Sequence, residues 1–164
     1  MRALSYLLSG FIGLVLVIFG GKAEVRGQTV SLDWRIFEVP EYGTRVNYPA
    51  RIFGPAGEPE KGIGQRFESA DGSAVLSVYS SENEAADTPG KNLRQSSLDY
   101  ERVTRSFFAI SMERAGRIFY SRCNFSRSAK GSIHCFDLVY PQEEKRAWDP
   151  VVTRISLSLR PLER

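Results

Sequence analysis

Residues Gly116 to Pro141 read GRIFYSRCNFSRSAKGSIHCFDLVYP, and they hold both cysteines and the single histidine of the chain. Ile118, Phe119 and Tyr120 precede a polar middle, and Ile133, Phe136, Val139 and Tyr140 follow it. β-Branched and aromatic side chains of this kind suit a pleated surface. The middle, Ser126 to Ser132, contains Gly131, which takes positive φ without penalty. The stretch therefore predicts two long antiparallel strands and a turn. A turn centred on Ala129 sets Cys123 opposite Cys135, Phe119 opposite Val139, Ser121 opposite Asp137 and Phe125 opposite Ile133. The other face then pairs Ile118 with Tyr140, Tyr120 with Leu138, Arg122 with Phe136 and Asn124 with His134.

Directly opposed Cβ atoms sit about 4.5–5.5 Å apart, near the reach of a disulfide. Two readings follow. In the favoured one Cys123 and Cys135 are bonded. In the other, Gly131 acts as a bulge residue and shifts the pairing, and a slip of one residue sends the sulfurs to opposite faces. The cysteines are then two half-buried free thiols. Both faces of the hairpin carry large apolar groups, whereas a sheet with one wet face should alternate between apolar and polar. The expectation is an α+β fold: an antiparallel sheet of about six strands with helices packed on both faces, an α/β/α sandwich.

The chain opens Met1-Arg2, continues apolar from Ala3 to about Gly21, and offers Gly21-Lys22-Ala23 as a small-residue exit. A charged start, an apolar middle and a small exit make a secretory signal, here residues 1–23 with cleavage after Ala23. The run is also close to the length of a membrane span, so an uncleaved N-terminal anchor is the alternative. No cysteine stands near the exit to carry a lipid. Removing 23 of the 164 residues leaves 141. That length suits one domain and buries about two-thirds of its extended surface without metal staples. Residues 24–33 read as a loose lead-in and 34–164 as the domain.

Charge narrows the partners. The chain has 22 basic and 19 acidic residues, and loss of Arg2 and Lys22 leaves 20 against 19. Nucleic-acid binders need a basic excess to neutralise phosphates, so none is expected as a partner. In an oxidising compartment two cysteines favour a disulfide over a metal or redox site.

Along the chain, Trp34 to Val39 and Thr44 to Tyr48 read as short strands separated by Glu41-Tyr42-Gly43, with Trp34, Val46 and Tyr48 in the core or at its edge. Gly54 to Gly64, GPAGEPEKGIG, reads as an irregular surface loop. It lacks the Gly-Lys-Ser/Thr ending and the strand-then-helix flanks of a phosphate loop. Gln65 to Ala70 and Ser73 to Ser80 flank Asp71-Gly72, a hairpin signal in which Asp71 is a turn former rather than a catalytic carboxylate. Ser81 to Asp87 is an acidic loop. Thr88-Pro89 reads as a cap and first helical position, predicting a helix to about Glu101 with Leu93, Ser97 and Tyr100 on one face. A strand from Arg102 to Met112 and a turn from Glu113 to Gly116 lead into the hairpin. Gln142 to Trp148 reads as a polar bridge, and Asp149-Pro150 as the start of a second helix with Val152, Ile155 and Leu159 along one stripe.

Several of these segments carry a resemblance. Asn47-Tyr48-Pro49, Arg66 to Ala74 and Val78-Tyr79 match one half of a pattern. Gly116 to Tyr120, Ile133-His134, Leu138 to Pro141, Asp149 to Val152 and Ser158 to Pro161 match the other. Together they resemble a family of uncharacterised exported proteins of alphaproteobacteria. The order of elements is also similar to the PsbP-like fold. The resemblance implies a fold and a compartment, the periplasm or secretion, but no catalytic residue.

The chemistry-bearing residues give no strong enzymatic pattern. Ser132 and His134 share one strand face while Asp137 lies on the other, and no Gly-x-Ser-x-Gly elbow is present. His134 reads as a strand-end residue bonded to Asn124 or water. Cys123, Cys135 and His134 alone are too few for zinc. Glu143-Glu144 reads as a solvated loop. No catalytic, cofactor or metal residues are therefore assigned. The sequence suggests a non-enzymatic accessory or binding module of the cell envelope. Its partner would be an envelope protein, a polymer or a small molecule, and it would touch the membrane only through an uncleaved N-terminal segment. The alternative is a small periplasmic hydrolase using His134 or the adjacent glutamates.

Overall fold

A computed structural model of the chain describes residues 31–93, 98–127 and 131–161. The signal reading of 1–23, the Ala23 cleavage point, most of the lead-in and the turn centre at Ala129 lie outside the described residues. Among the described residues, ten strands and two α-helices run in the order β1 (Trp34–Val39), β2 (Thr44–Pro49), β3 (Phe53–Pro55), β4 (Ile63–Ser69), β5 (Val75–Glu82), α1 (Pro89–Asn92), β6 (Tyr100–Val103), β7 (Phe107–Arg114), β8 (Arg117–Phe125), β9 (Ser132–Pro141), α2 (Lys145–Ser158) and β10 (Arg160–Pro161). Seven strands form one antiparallel sheet in the order β3-β4-β5-β9-β8-β7-β6, and β1-β2-β10 form a second.

The β8–β9 hairpin has the register set by a turn at Ala129: Cys123 pairs with Cys135, Phe119 with Val139 and Asn124 with His134. A disulfide joins Cys123 to Cys135, whose Cα atoms are 4.1 Å apart. On the preceding hairpin, Ala115 and Gly116 both take positive φ, 51° and 71°. That pair of conformations gives a two-residue turn whose twist matches the strands it joins.

The α/β/α expectation is overturned. The protein is mostly strand, and helix covers one face of the large sheet. There α2 and the β1–β2 ribbon enclose the main core of Val46, Phe53, Phe67, Leu76, Val78, Phe136, Leu138, Trp148 and Ile155. Phe67 is its centre, edge-on to Phe37 at 5.3 Å and tilted against Tyr48 at 4.7 Å between ring centroids. Among the described residues, the opposite face meets no helix beyond the four-residue α1. Its apolar groups instead cover one another: Phe108, Ile110, Phe125 and the disulfide form a thin second cluster with Leu93 and Leu98. Apolar side chains on both faces are thus no proof of two helical layers.

Other expectations also fail. The helix expected from Thr88 to Glu101 ends at Asn92, and residues 94–97 lie outside the described residues. Tyr100 to Val103 instead pair with Phe108 to Ser111, so the strand expected over Arg102 to Met112 is a hairpin. Its turn is built by Thr104, whose Oγ1 accepts from the backbone N–H of Ser106 and Phe107. Phe53 to Pro55 pair with Phe67 to Ser69, which removes the start of the supposed loop from Gly54 to Gly64. Gln142 to Glu144 form a 3₁₀ turn and α2 starts at Lys145, so Asp149 is no cap. Asp149 pairs with Lys145 Nζ at 2.8 Å, and Pro150 sits inside the helix. The early start buries Trp148, which stacks on Tyr140 at 5.2 Å.

Candidate functional site

The register of the large sheet arranges its open face in rows. Val75, Val139, Phe119 and Met112 lie across β5, β9, β8 and β7 in one row. Tyr79, Cys135, Cys123 and Phe108 make another. Between them runs a polar stripe of Ser77, Asp137 and Ser121, ending at Ile110. The strands hold these side chains because residues two apart share a face. Glu60 to Gly62 stand on one side and Leu93 on the other, giving an open groove of about 620 Å³. Phe119 is exposed at its floor, and Val75, Val139 and Met112 are half-buried.

Asp137 is the one acid of that stripe. Its Oδ2 accepts from the Tyr79 hydroxyl at 3.1 Å, a diagonal contact across the β5–β9 ladder. Burial, then the Asp137 charge and the hydrogen bond, push the Tyr79 phenol well above its ordinary value, so it stays a donor. No Lys or Arg among the described residues forms an ion pair with Asp137. The carboxylate thus keeps acceptor capacity toward the groove.

The hydrolase candidates are not assembled. His134 is 1% exposed and faces the main core, away from Asp137. Its Nδ1 is 2.6 Å from Thr44 Oγ1, which also bonds Ser80 Oγ, and its Nε2 meets Ser132 Oγ at 3.2 Å and Ser126 Oγ at 3.3 Å. Burial pulls its pKa below the ordinary 6.5, and among the described residues the ring's partners are hydroxyls rather than a carboxylate. Asn124 is the residue opposite, but its Nδ2 donates to the Leu159 carbonyl, so the expected Asn124–His134 bond does not form. His134 is therefore a neutral rivet between β2, β5 and β9. Glu144 accepts from Trp148 Nε1 at 2.9 Å, while Glu143 is exposed. Among the described residues no three His, Cys, Asp or Glu side chains gather as metal ligands. Asp71 serves its turn: Oδ1 accepts from Ser69 Oγ, Ser73 N and Ser73 Oγ, which holds the carboxyl down to about 2. The groove itself escaped sequence reading because its rows exist only once β5, some fifty residues back along the chain, has paired with β9 beside the consecutive β7–β8–β9 hairpins.

The architecture is a PsbP-like fold. It is similar to the solution structure of cyanobacterial PsbP (CyanoP) from Synechocystis sp. PCC 6803, with a TM-score of 0.58 and 14% identity over 82% of this chain and 96% of that one. At that identity the likeness is one of fold. No protein-family profile and no curated protein matches the sequence.

Proposed function

We propose that this is an exported, non-enzymatic binding module of the cell envelope, working through the open face of the seven-stranded sheet. The observation that carries the reading is the stripe Ser77–Asp137–Ser121, continued onto β4 by Arg66, running between two mainly apolar rows. Ligand sites are typically concave, mostly apolar and supplied with a few polar groups, in volumes of about 300–1,000 Å³. The groove fits that description. Its preferred ligand has an apolar body for Phe119, Met112 and Val139, and an amine or hydroxyl head for Asp137. Periplasmic or secreted location is supported by the charged-then-apolar N-terminus with its small exit. The intact mass of protein recovered from its native compartment tests export: the expected mature chain begins at Glu24, and a chain retaining residues 1–23 supports the anchor instead.

Titration of the labelled mature protein with n-octylamine, n-octanol and octanoate tests the groove. The amine is expected to give saturable amide shifts at Ser77, Ser121 and Asp137, and octanoate the weakest response. Asp137→Asn should weaken amine binding about tenfold, as loss of one charge-assisted bond of roughly 1.4 kcal/mol does. No saturable shift with the amine, or octanoate binding as well as the amine, overturns the reading.

A further inference from the structure

We propose that the opposite face of the sheet, where β6, β7 and β8 emerge from beneath α2, holds a binding site for a small planar monocarboxylate. It shares no face with the groove above, so either site stands if the other fails.

The site follows from register. Ser111 of β7 lies between Tyr100 of β6 and Tyr120 of β8. Two residues on, Ala109 lies between Arg102 and Arg122. Small side chains on the middle strand and long ones on both neighbours make a trough along β7. A cavity of about 570 Å³ occupies it, walled by Val152, Ser156 and Leu157 of α2. Phe107 closes one end. Arg122 Cζ lies 4.2 Å from the centre of its ring and Arg102 Cζ lies 5.6 Å away.

Two guanidinium groups over one ring repel each other, and neither has a carboxylate within ion-pair distance among the described residues. Arg122 is also held in place. Its Nε donates to Asn124 Oδ1 and its Nη1 to Ser156 Oγ, both at 3.0 Å. Ser156 is buried on α2 and shares a 3.0 Å hydrogen bond with the Tyr120 hydroxyl. Nothing among the described residues accepts from Nη2. A half-buried cation fixed on one edge and unspent on the other is a pre-organised anion receptor. The acids of the trough, Asp99, Glu113 and Asp149, are engaged by the Glu113 backbone N–H, Gln142 Nε2 and Lys145 Nζ respectively. Their charges repel a phosphate dianion about twice as strongly as a singly charged carboxylate. The tyrosines flanking Ser111 present ring faces or edges to a flat body.

The test is an amide-shift titration of the intact mature protein with sodium benzoate, benzamide and inorganic phosphate. Benzoate is expected to shift Ala109, Ser111 and Ser156 saturably, with a dissociation constant of about 1 mM or below, and to weaken as salt rises. Benzamide should bind at least fivefold more weakly. Arg102→Gln, on an exposed edge strand, should weaken benzoate at least fivefold with an unchanged melting temperature, and Arg122→Gln should abolish binding if it folds. The inference is overturned if benzoate produces no saturable shift, if benzamide or phosphate binds as tightly, or if Arg102→Gln leaves benzoate affinity unaltered.

Discussion

Thr44 Oγ1 stands 2.6 Å from Nδ1 of His134, and this contact fastens the β1–β2 ribbon to the middle of the large sheet. Both residues are buried, and Ser80 completes the cluster. Buried polar groups cost little when satisfied and much when one partner is lost. Thr44→Val keeps the shape but leaves the imidazole and the Ser80 hydroxyl short of a partner. The variant should lose about 1–3 kcal/mol of stability, read as a lower urea midpoint with an unchanged slope. An unchanged midpoint would mean that the contact fixes nothing.

The same burial gives the protein a pH dependence. His134 has its folded pKa pulled below 6.5 by burial, while the unfolded chain keeps the ordinary value. As pH falls through 6.5 the unfolded state takes up the proton first, so stability is lost on acidification and restored above that window. The limit is roughly 1.4 kcal/mol per pH unit. The hydroxyls of Thr44, Ser126 and Ser132 surround the ring, and none is charged. The chain has no second histidine, so urea midpoints at pH 7.5 and 5.5 isolate this group. The wild type should be less stable at the lower pH, and His134→Asn should show a smaller difference between the two. Equal differences would place the ring in contact with water.

What the sequence revealed and what it hid divide by distance along the chain. The β8–β9 register was legible residue by residue, because a period of two and a short turn fix every opposed pair once one pair is set. The alternation of Ala74, Leu76, Val78 and Ser80 was legible for the same reason, and all four are buried. Local signals misled where tertiary pairing outweighs them. Thr88-Pro89 does start a helix, but Tyr100 to Val103 gain more as an added edge strand than as its last turn. Asp149-Pro150 resembles a cap, yet burying Trp148 and extending the helix to Lys145 outweighs the bond that Pro150 forfeits. His134 finds its partner 90 residues away in Thr44, and no spacing rule reaches that far. Both candidate sites share this origin, since their rows exist only after four or three strands have aligned.

Gly64 illustrates a backbone approach that sequence presents merely as loop composition. It pairs with Tyr79 across β4 and β5, and a Cβ there would overlap the Val78 carbonyl oxygen and lie 2.9 Å from Tyr79 Cα. Both are backbone atoms, so the strands would have to part. Gly64→Ala should cost about 2 kcal/mol or more. Gly54, with open space where its Cβ would stand, serves as the control. Gly54→Ala should stay within about 0.5 kcal/mol of wild type. Thermal melts of the pair decide it: similar midpoints would show that β4 can move away from β5 without loss.

The Cys123–Cys135 bond closes a short loop between strands that nine register pairs already align. Its stabilising effect therefore acts mainly on the unfolded chain, where a closure of about a dozen residues is worth roughly 3 kcal/mol in the chain-entropy model. The double variant Cys123→Ala, Cys135→Ala should still fold, with the β8–β9 register intact by amide exchange and a lower urea midpoint. A denatured, unreduced sample from the native compartment should show no reactive thiol, and two should appear after reduction. Two thiols before reduction would mean that the chain matures in a reducing space. The reading of residues 1–23 as an export signal would then lose its chemical support, whereas the sheet, whose ladder does not need the sulfurs, would stand.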